Sequence, residues 1–276
     1  MKKQSIFMLA VVVVLQTLVS AETITIFDSN AVVANGHTYD TVVVKGNGTV
    51  VTMTGGIVNK LITMDASTFN MTSGSVSSTV ETHGLSTLNI SGNSTVRLGY
   101  FAGKSHINFF GNAICTGQAR GVHSATISVS GNASLESLYL DDNCKVIITG
   151  GVLSSLILYD GTSQVDISGG TINSLGHMAQ ATVDQMRVNI IGYNLMTNPY
   201  SDSSSNGGVV SGNWNNGSHF SISFYSAYIF DIITLYDGSI PVDCATQMES
   251  DLNGDCKVDF KDFSKMSAEW LKDGTQ

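Results

Sequence analysis

A repeat of about 19 residues runs through the middle of this chain and constrains its fold more than any other feature. Each copy carries an apolar anchor residue and a second apolar residue two positions before it. Small polar residues mostly occupy the positions between and beside them, as in a β-strand that places its apolar side chains on one face. The anchors are Met53, Met71, Ile90, Phe109, Val129, Ile148 and Ile167.

A turn signal follows every anchor. Glycine or serine stands two residues after the anchor, and only glycine or asparagine stands at the next position. These two residue types tolerate a positive φ best, so we predict that each copy bends through a left-handed residue at the later position. That position holds Gly56, Gly74, Asn93, Asn112, Asn132, Gly151 and Gly170.

One copy of the repeat cannot bury its own apolar side chains. Stacked copies supply each other with backbone hydrogen bonds and share a continuous core. We therefore predict an all-β fold, a parallel β-helix (β-solenoid) with 19-residue coils, in which seven coils stack about 4.8 Å apart into a rod roughly 30 Å long.

The repeat resembles known families through two of its coils, Asn89-Ile90-Ser91-Gly92-Asn93 and Asp166-Ile167-Ser168-Gly169-Gly170. It looks like the right-handed parallel β-helix of pectate-lyase-like proteins and like repeats of secreted bacterial surface proteins. The resemblance covers about residues 49–176, and it implies a right-handed coil. It specifies fold far better than function.

The chain divides into a leader and three further segments. Lys2 and Lys3 precede the apolar stretch 6–19, and a run of small residues leads to a cleavage site after Ala21. Together these features form the pattern of a secretory signal peptide. We expect a secreted or cell-surface protein without a membrane span after cleavage. The predicted segments are the signal peptide 1–21, the β-solenoid 22–176, a degenerate coil and β cap 177–240, and a calcium-binding module 241–276.

The cap is predicted from a hairpin pattern. Residues 209–214 and 219–224 both look like strands, and they are joined over Asn215-Asn216-Gly217-Ser218. An uncapped solenoid end would present unpaired strand edges to other chains. We expect the hairpin, with its many aromatic residues, to cover that end.

The chain is acidic, with a net charge of −9. An acidic surface does not attract nucleic acid, so no nucleic-acid partner is expected. Divalent cations suit it better, and one segment near the C-terminus has the required oxygen atoms.

Residues 251–262 carry oxygen ligands at the spacing of a calcium loop, which supplies about six to eight of them. The loop resembles that of type I dockerins, and the resemblance implies Ca²⁺ and a following helix. A dockerin has two such repeats and binds a cohesin module, whereas this chain has one, so a cohesin-like partner does not follow directly. The implied ligands are Asp251, Asn253, Asp255, the backbone carbonyl of Lys257, Asp259 and Asp262.

The four cysteines enter an oxidising compartment if the chain is exported. We expect Cys244 and Cys256 to form a disulfide, because they bracket a short segment leading into the calcium loop, and closing it would hold the following helix near the cap. Two outcomes are open for Cys115 and Cys144: a disulfide between them, or burial of each as a small apolar side chain.

Three residues are candidates for catalysis. Asp141 and Asp160 stand at equivalent positions of neighbouring coils, and Arg120 lies one position earlier on the preceding coil. In pectate-lyase-like enzymes, a basic residue and calcium-binding acids share one face of the helix. The alternative is that both aspartates are turn formers where every coil turns.

Three functions therefore remain open. The first is a structural or binding protein that engages extracellular polysaccharide or a cell-surface component. The second is a polysaccharide lyase or glycoside hydrolase with Arg120, Asp141 and Asp160 as its site. The third is a passive spacer.

Overall fold

The computed structural model describes residues 23–159, 161–177, 185–199, 207–225 and 232–238. These residues form an all-β parallel solenoid of about 8 coils with almost no helix. The 17 strands are β1 (Ile24–Phe27), β2 (Ala31–Val33), β3 (Thr38–Val44), β4 (Val50–Thr63), β5 (Thr68–Thr82), β6 (Thr87–Ile90), β7 (Thr95–Phe101), β8 (His106–Phe109), β9 (Ile114–Gly121), β10 (Thr126–Val129), β11 (Ser134–Leu140), β12 (Lys145–Leu158), β13 (Gln164–His177), β14 (Arg187–Pro199), β15 (Gly208–Asn213), β16 (His219–Phe224) and β17 (Ile233–Asp237).

The predicted repeat is confirmed position by position. Val51 pairs with Phe69, Phe69 with Leu88, and Leu88 with Ile107, so successive coils have almost the same length. The next step, from Ile107 to Ile127, is one position longer than the step before it, as the anchor spacing predicts. Each anchor therefore stacks on the anchor of the coil before it.

The solenoid extends beyond the predicted coils at both ends. The segment before the repeat forms a coil of its own, in which Ala31 of β2 pairs with Val51 of β4. At the other end, Val165 pairs with Val188, and Val188 in turn pairs with Ile233 of β17. The positions predicted as a degenerate coil thus continue the stack on this side of the rod.

The core is a set of apolar columns parallel to the rod axis. Equivalent side chains of successive coils stack on one another in the same column. Those of Leu88, Ile107 and Ile127 are fully buried. Because the coil is narrow, a large side chain at one position of a strand restricts which residue fits nearby in the same strand. The ring of Phe101 fills the space beside Gly99, where a Cβ atom would meet its ring carbons. Each such buried side chain stabilises the fold by about 1.5–3 kcal/mol.

The turn after each anchor is left-handed, but in three coils not at the predicted residue. Where the sequence is Gly-Asn, the left-handed residue is the glycine, as at Gly92 with φ +59°, and not Asn93. Asparagine would fail there because a Cβ atom at Gly92 would overlap the carbonyl oxygen of Thr72 in the previous coil. The same correction applies to Asn112 and Asn132, whose preceding glycines, Gly111 and Gly131, have the positive φ.

Outward-facing asparagines form a hydrogen-bonded ladder along the rod. The Asn89 side chain donates from Nδ2 to Oδ1 of Asn70 at 2.8 Å, and Asn108 donates to Oδ1 of Asn89 at 2.7 Å. The middle amide therefore donates to one coil and accepts from the next. Such ladders stabilise stacked strands at identical registers.

The predicted hairpin is present as β15 and β16, which pair antiparallel. Strand β16 also joins the solenoid, because Ser223 pairs in parallel with Ser174 of β13. The indole ring of Trp214 stacks on Phe220 at 3.8 Å between centroids, and its Nε1 donates to the carbonyl oxygen of Gly170 at 2.8 Å. The hairpin is thus anchored to the last regular coils.

The predicted calcium module, residues 241–276, lies outside the described residues. So does the predicted signal peptide, residues 1–21. The described part of the chain holds no helix with the length and apolar character that a membrane crossing requires.

Candidate functional site

The structure brings together two of the three predicted catalytic candidates. Arg120 lies near the end of β9, and Asp141 directly follows β11, which pairs in parallel with β9 on the next coil. The Nε atom of Arg120 donates to Oδ2 of Asp141 at 2.6 Å. The third candidate, Asp160, lies outside the described residues.

This contact is a partly buried ion pair. Asp141 is 8% exposed, whereas the guanidinium of Arg120 reaches solvent. The hydrogen bond to Asp141 is the main cause that raises the pKa of Arg120 above its ordinary value, and burial acts in the opposite direction. The arginine therefore stays charged, and one oxygen of the carboxylate is occupied by it.

Tyrosines surround the ion pair on the outer surface. Tyr100 and Tyr139 pair with Arg120 from the coils on either side, so the three residues form one outward row. Tyr159 lies close by, with the guanidinium carbon of Arg120 5.8 Å from its ring centroid, within the range of a cation–π contact. We call the set Tyr100, Arg120, Tyr139, Asp141 and Tyr159 the tyrosine face.

Two rings of this surface are open to ligands, and Tyr139 is partly buried. Tyr100 is 39% exposed and Tyr159 is 43% exposed. Since neighbouring coils lie about 4.8 Å apart, Tyr100 and Tyr139 stand about 10 Å apart along the rod. Further along the same side, Tyr225 directly follows the pair of Leu175 with Phe224. Aromatic side chains are thus distributed along the rod and not gathered in one pocket.

This arrangement combines three kinds of contact. Tyrosine presents a flat apolar ring with a polar hydroxyl, and it is enriched with arginine at binding surfaces. The Arg120–Asp141 pair offers hydrogen-bond donors and acceptors with nearly cancelling charge. A ligand that suits the tyrosine face is therefore extended, rich in hydroxyl groups and without high charge.

The sequence-based prediction found Arg120 and Asp141 but missed the tyrosines. Aromatic residues are common on β-strands, so each tyrosine alone carries no functional signal. The signal lay in the repeat: Tyr100 and Tyr139 stand at equivalent positions after their anchors, in coils that flank Arg120.

The predicted metal ligands cannot be placed on the solenoid. Asp251, Asn253, Asp255, Lys257, Asp259 and Asp262 all lie outside the described residues. Within the described ranges, no group of three or more His, Cys, Asp or Glu side chains could hold a metal ion.

The structure describes two of the four cysteines. Cys115 and Cys144 are buried and free, which decides between their two predicted outcomes in favour of apolar burial. Burial raises the pKa of Cys115 to about 11 and that of Cys144 to about 12. The predicted disulfide partners Cys244 and Cys256 lie outside the described residues.

Comparison with known proteins adds no relative. The chain matches no protein-family model, no curated protein and no solved structure. Its function must therefore be inferred from its own residues.

Proposed function

We propose that this protein is a secreted or cell-surface β-helix protein that binds an extracellular polysaccharide along its tyrosine face. The observation that carries the proposal is the outward row Tyr100–Arg120–Tyr139, with rings on both sides of a charge-compensated ion pair. Sugar rings have an apolar face that packs on aromatic rings, and their hydroxyls donate and accept hydrogen bonds.

The chemistry of the face favours an uncharged polysaccharide. The Arg120 guanidinium is already neutralised by Asp141 at 2.6 Å, so it offers little net attraction to an acidic sugar. The acidic chain as a whole would also repel a polyanion. A neutral polymer meets neither obstacle, and it can follow the row of rings from coil to coil.

The proposal includes the finer features that the sequence predicts. The solenoid is of the right-handed, pectate-lyase-like kind, and the signal peptide 1–21 directs export. The C-terminal segment 241–276 is a helical module that Ca²⁺ orders through Asp251, Asn253, Asp255, Lys257, Asp259 and Asp262. Its role is attachment to a surface protein, for which a cohesin-like partner is one option. The support for this module is the spacing of its oxygen ligands.

A second candidate function is a polysaccharide lyase or glycoside hydrolase. The contact between Arg120 and Asp141 favours it, because a basic and an acidic side chain are held together on an open surface. The ion pair also limits it, since Asp141 would have to leave Arg120 to act as a base. A passive spacer is the remaining possibility, and binding measurements distinguish it.

The test is retention on insoluble neutral polysaccharides. We expect the wild type to be retained and the double variant Tyr100→Ala, Tyr139→Ala to bind about tenfold or more weakly, because each lost ring contact is worth about 1 kcal/mol. The variant Tyr193→Ala is the control, since Tyr193 is exposed to a similar degree but lies in β14. Equal retention of all three proteins would contradict the proposal, and no retention of the wild type would favour the spacer.

Product release from the same polysaccharides tests the enzyme alternative. New reducing or unsaturated ends that disappear in the double variant Asp141→Asn, Asp160→Asn would favour an enzyme over a binder. The calcium module is tested separately by calorimetry. Asp251→Asn together with Asp262→Asn should abolish the Ca²⁺ signal, and an unchanged titration would refute the module.

A further inference from the structure

A groove of about 390 Å³ opens on another side of the rod, near the last coils. It forms where the chain leaves the regular stack. Strand β14 pairs with β13 only as far as Ile190 opposite Ile167, and from Tyr193 onward it pairs with the hairpin strand β15 instead. The two strands therefore separate, and the gap between Ser168 and Ile191 stays open.

One end of the groove is apolar. Ile191 and Tyr236, which are register partners on β14 and β17, line this end, whereas Ile147 lies two coils away in the row of Asp166 and Asn189. Tyr236 is 47% exposed, so its ring is available to a ligand. The strand that carries it, β17, adds one further coil on this side only, which places the ring at the end of the groove.

The middle of the groove carries hydrogen-bonding groups, contributed by Asp166 and Asn189 in one row and by Ser168 in the row beside it. The Asn189 amide donates from Nδ2 to Oδ1 of Asp166 at 2.6 Å. The Nζ atom of Lys145 lies 3.8 Å from Oδ2 of the same carboxylate. The carboxylate is therefore oriented by Asn189 and has a cation nearby, and it can still accept hydrogen bonds.

We propose that this groove binds a single neutral pyranose ring, such as the end or a side branch of a polysaccharide. Its volume lies at the lower end of the range of small-molecule sites, roughly 300–1,000 Å³. One face of a pyranose is apolar and would pack on Tyr236 and Ile191. Its hydroxyls would donate to Asp166 and bond to Ser168.

Other ligand classes fit the groove less well. A metal ion would find one carboxylate, already held by Lys145 and Asn189. A purely apolar ligand would leave Asp166 and Ser168 without the water that they contact in the open groove, which costs free energy. A ring with one apolar face and several hydroxyls satisfies both the apolar end of the groove and its polar middle.

The groove is separate from the tyrosine face, and as a second sugar site it rests on the proposed function and deepens it. Experiments distinguish the failure of one site from the failure of the other. The tyrosine face requires a polymer that spans several coils, whereas the groove requires only one sugar unit. Free monosaccharide glycosides therefore serve as the probe of the groove, and variants of each site show which of the two surfaces binds them.

The experiment is ligand-observed saturation-transfer NMR on the full chain with a panel of neutral methyl pyranosides. We expect saturation transfer from the wild type to at least one of them, and a signal reduced at least tenfold by Tyr236→Ala. Tyr236→Phe keeps the ring and should keep the signal. Asp166→Asn should weaken it, because the amide nitrogen cannot accept a hydroxyl proton.

The matched control is the double variant Tyr100→Ala, Tyr139→Ala, which should retain full transfer even if it no longer binds polysaccharide. The inference is overturned if no methyl pyranoside shows transfer from the wild type. It is equally overturned if Tyr236→Ala leaves the signal unchanged, or if only the tyrosine-face variant removes it. Because Tyr236 is partly exposed, circular dichroism of Tyr236→Ala should match the wild type.

Discussion

Replacing Gly170 by alanine tests how closely the coils are stacked beneath the hairpin. Gly170 has a φ of +88°, and its carbonyl oxygen accepts the hydrogen bond from Trp214. A Cβ atom at this position would lie 2.8 Å from the carbonyl oxygen of Gly151 and 2.9 Å from the carbonyl carbon of Gly150. Both atoms are backbone atoms of the previous coil, so no side chain can rotate away.

The expected loss of stability has two parts. The positive φ costs a residue with a Cβ atom roughly 1–2 kcal/mol. Reaching an ordinary contact distance also requires the two coils to separate locally by about 0.6 Å. That movement stretches the hydrogen bond from Trp214 and the nearby backbone hydrogen bonds between the two coils. Losing one or two of these hydrogen bonds adds about 1–2 kcal/mol. Gly170→Ala should therefore cost about 2–4 kcal/mol in total.

The hairpin provides a matched control. Gly217 has nearly the same φ, +83°, but a Cβ atom there would meet nothing within 4 Å. Gly217→Ala should cost only the conformational part, about 1–2 kcal/mol. Guanidinium denaturation followed by far-UV circular dichroism compares the two midpoints. Equal midpoints for Gly170→Ala and Gly217→Ala would refute the reasoning that backbone contact between coils is limiting.

Three further predictions concern stability and reactivity. Asn89→Ala removes two ladder hydrogen bonds and Asn70→Ala only one, so denaturation should show the former to be about 1 kcal/mol less stable; equal losses would contradict the ladder. With pKa values of about 11 and 12, Cys115 and Cys144 are almost entirely neutral thiols at pH 8. In a chain whose other two cysteines are serine, iodoacetamide should label them only after denaturation, and rapid native labelling would contradict their burial. Trp214→Phe keeps the stacking but loses one hydrogen bond, so it should cost about 1 kcal/mol in the same denaturation assay.

The coil register could be predicted from the sequence because it depends on local repetition. Strand pairing in a solenoid joins equivalent positions, so the anchor spacing translates directly into the pairs Phe69–Leu88 and Leu88–Ile107. The hairpin was predictable for a similar reason, since its turn signal is short and local. The position of the left-handed residue could not be predicted from the sequence, because the choice between Gly92 and Asn93 depends on Thr72, one coil away.

The candidate sites were predictable only in part. Arg120 and Asp141 were placed on one face by counting within coils, but their contact was not, because the register pairs Arg120 with Tyr139, two residues before Asp141. The groove could not be predicted, because it depends on where β14 leaves the stack and on the return of β17 after the hairpin. Tyr236 and Asp166 are far apart in sequence, and no repeat connects them.

Equivalent positions of successive coils stack on each other, and this has a consequence for how the gene of such a protein can change. Coils of slightly different length already coexist in the same register, so the rod accepts whole-coil duplications or deletions with little disturbance of its neighbours. A duplication would lengthen the outer surface by one coil while the hairpin and the last coils moved along unchanged. The reach of the protein can therefore evolve by steps of one coil, independently of what its end does.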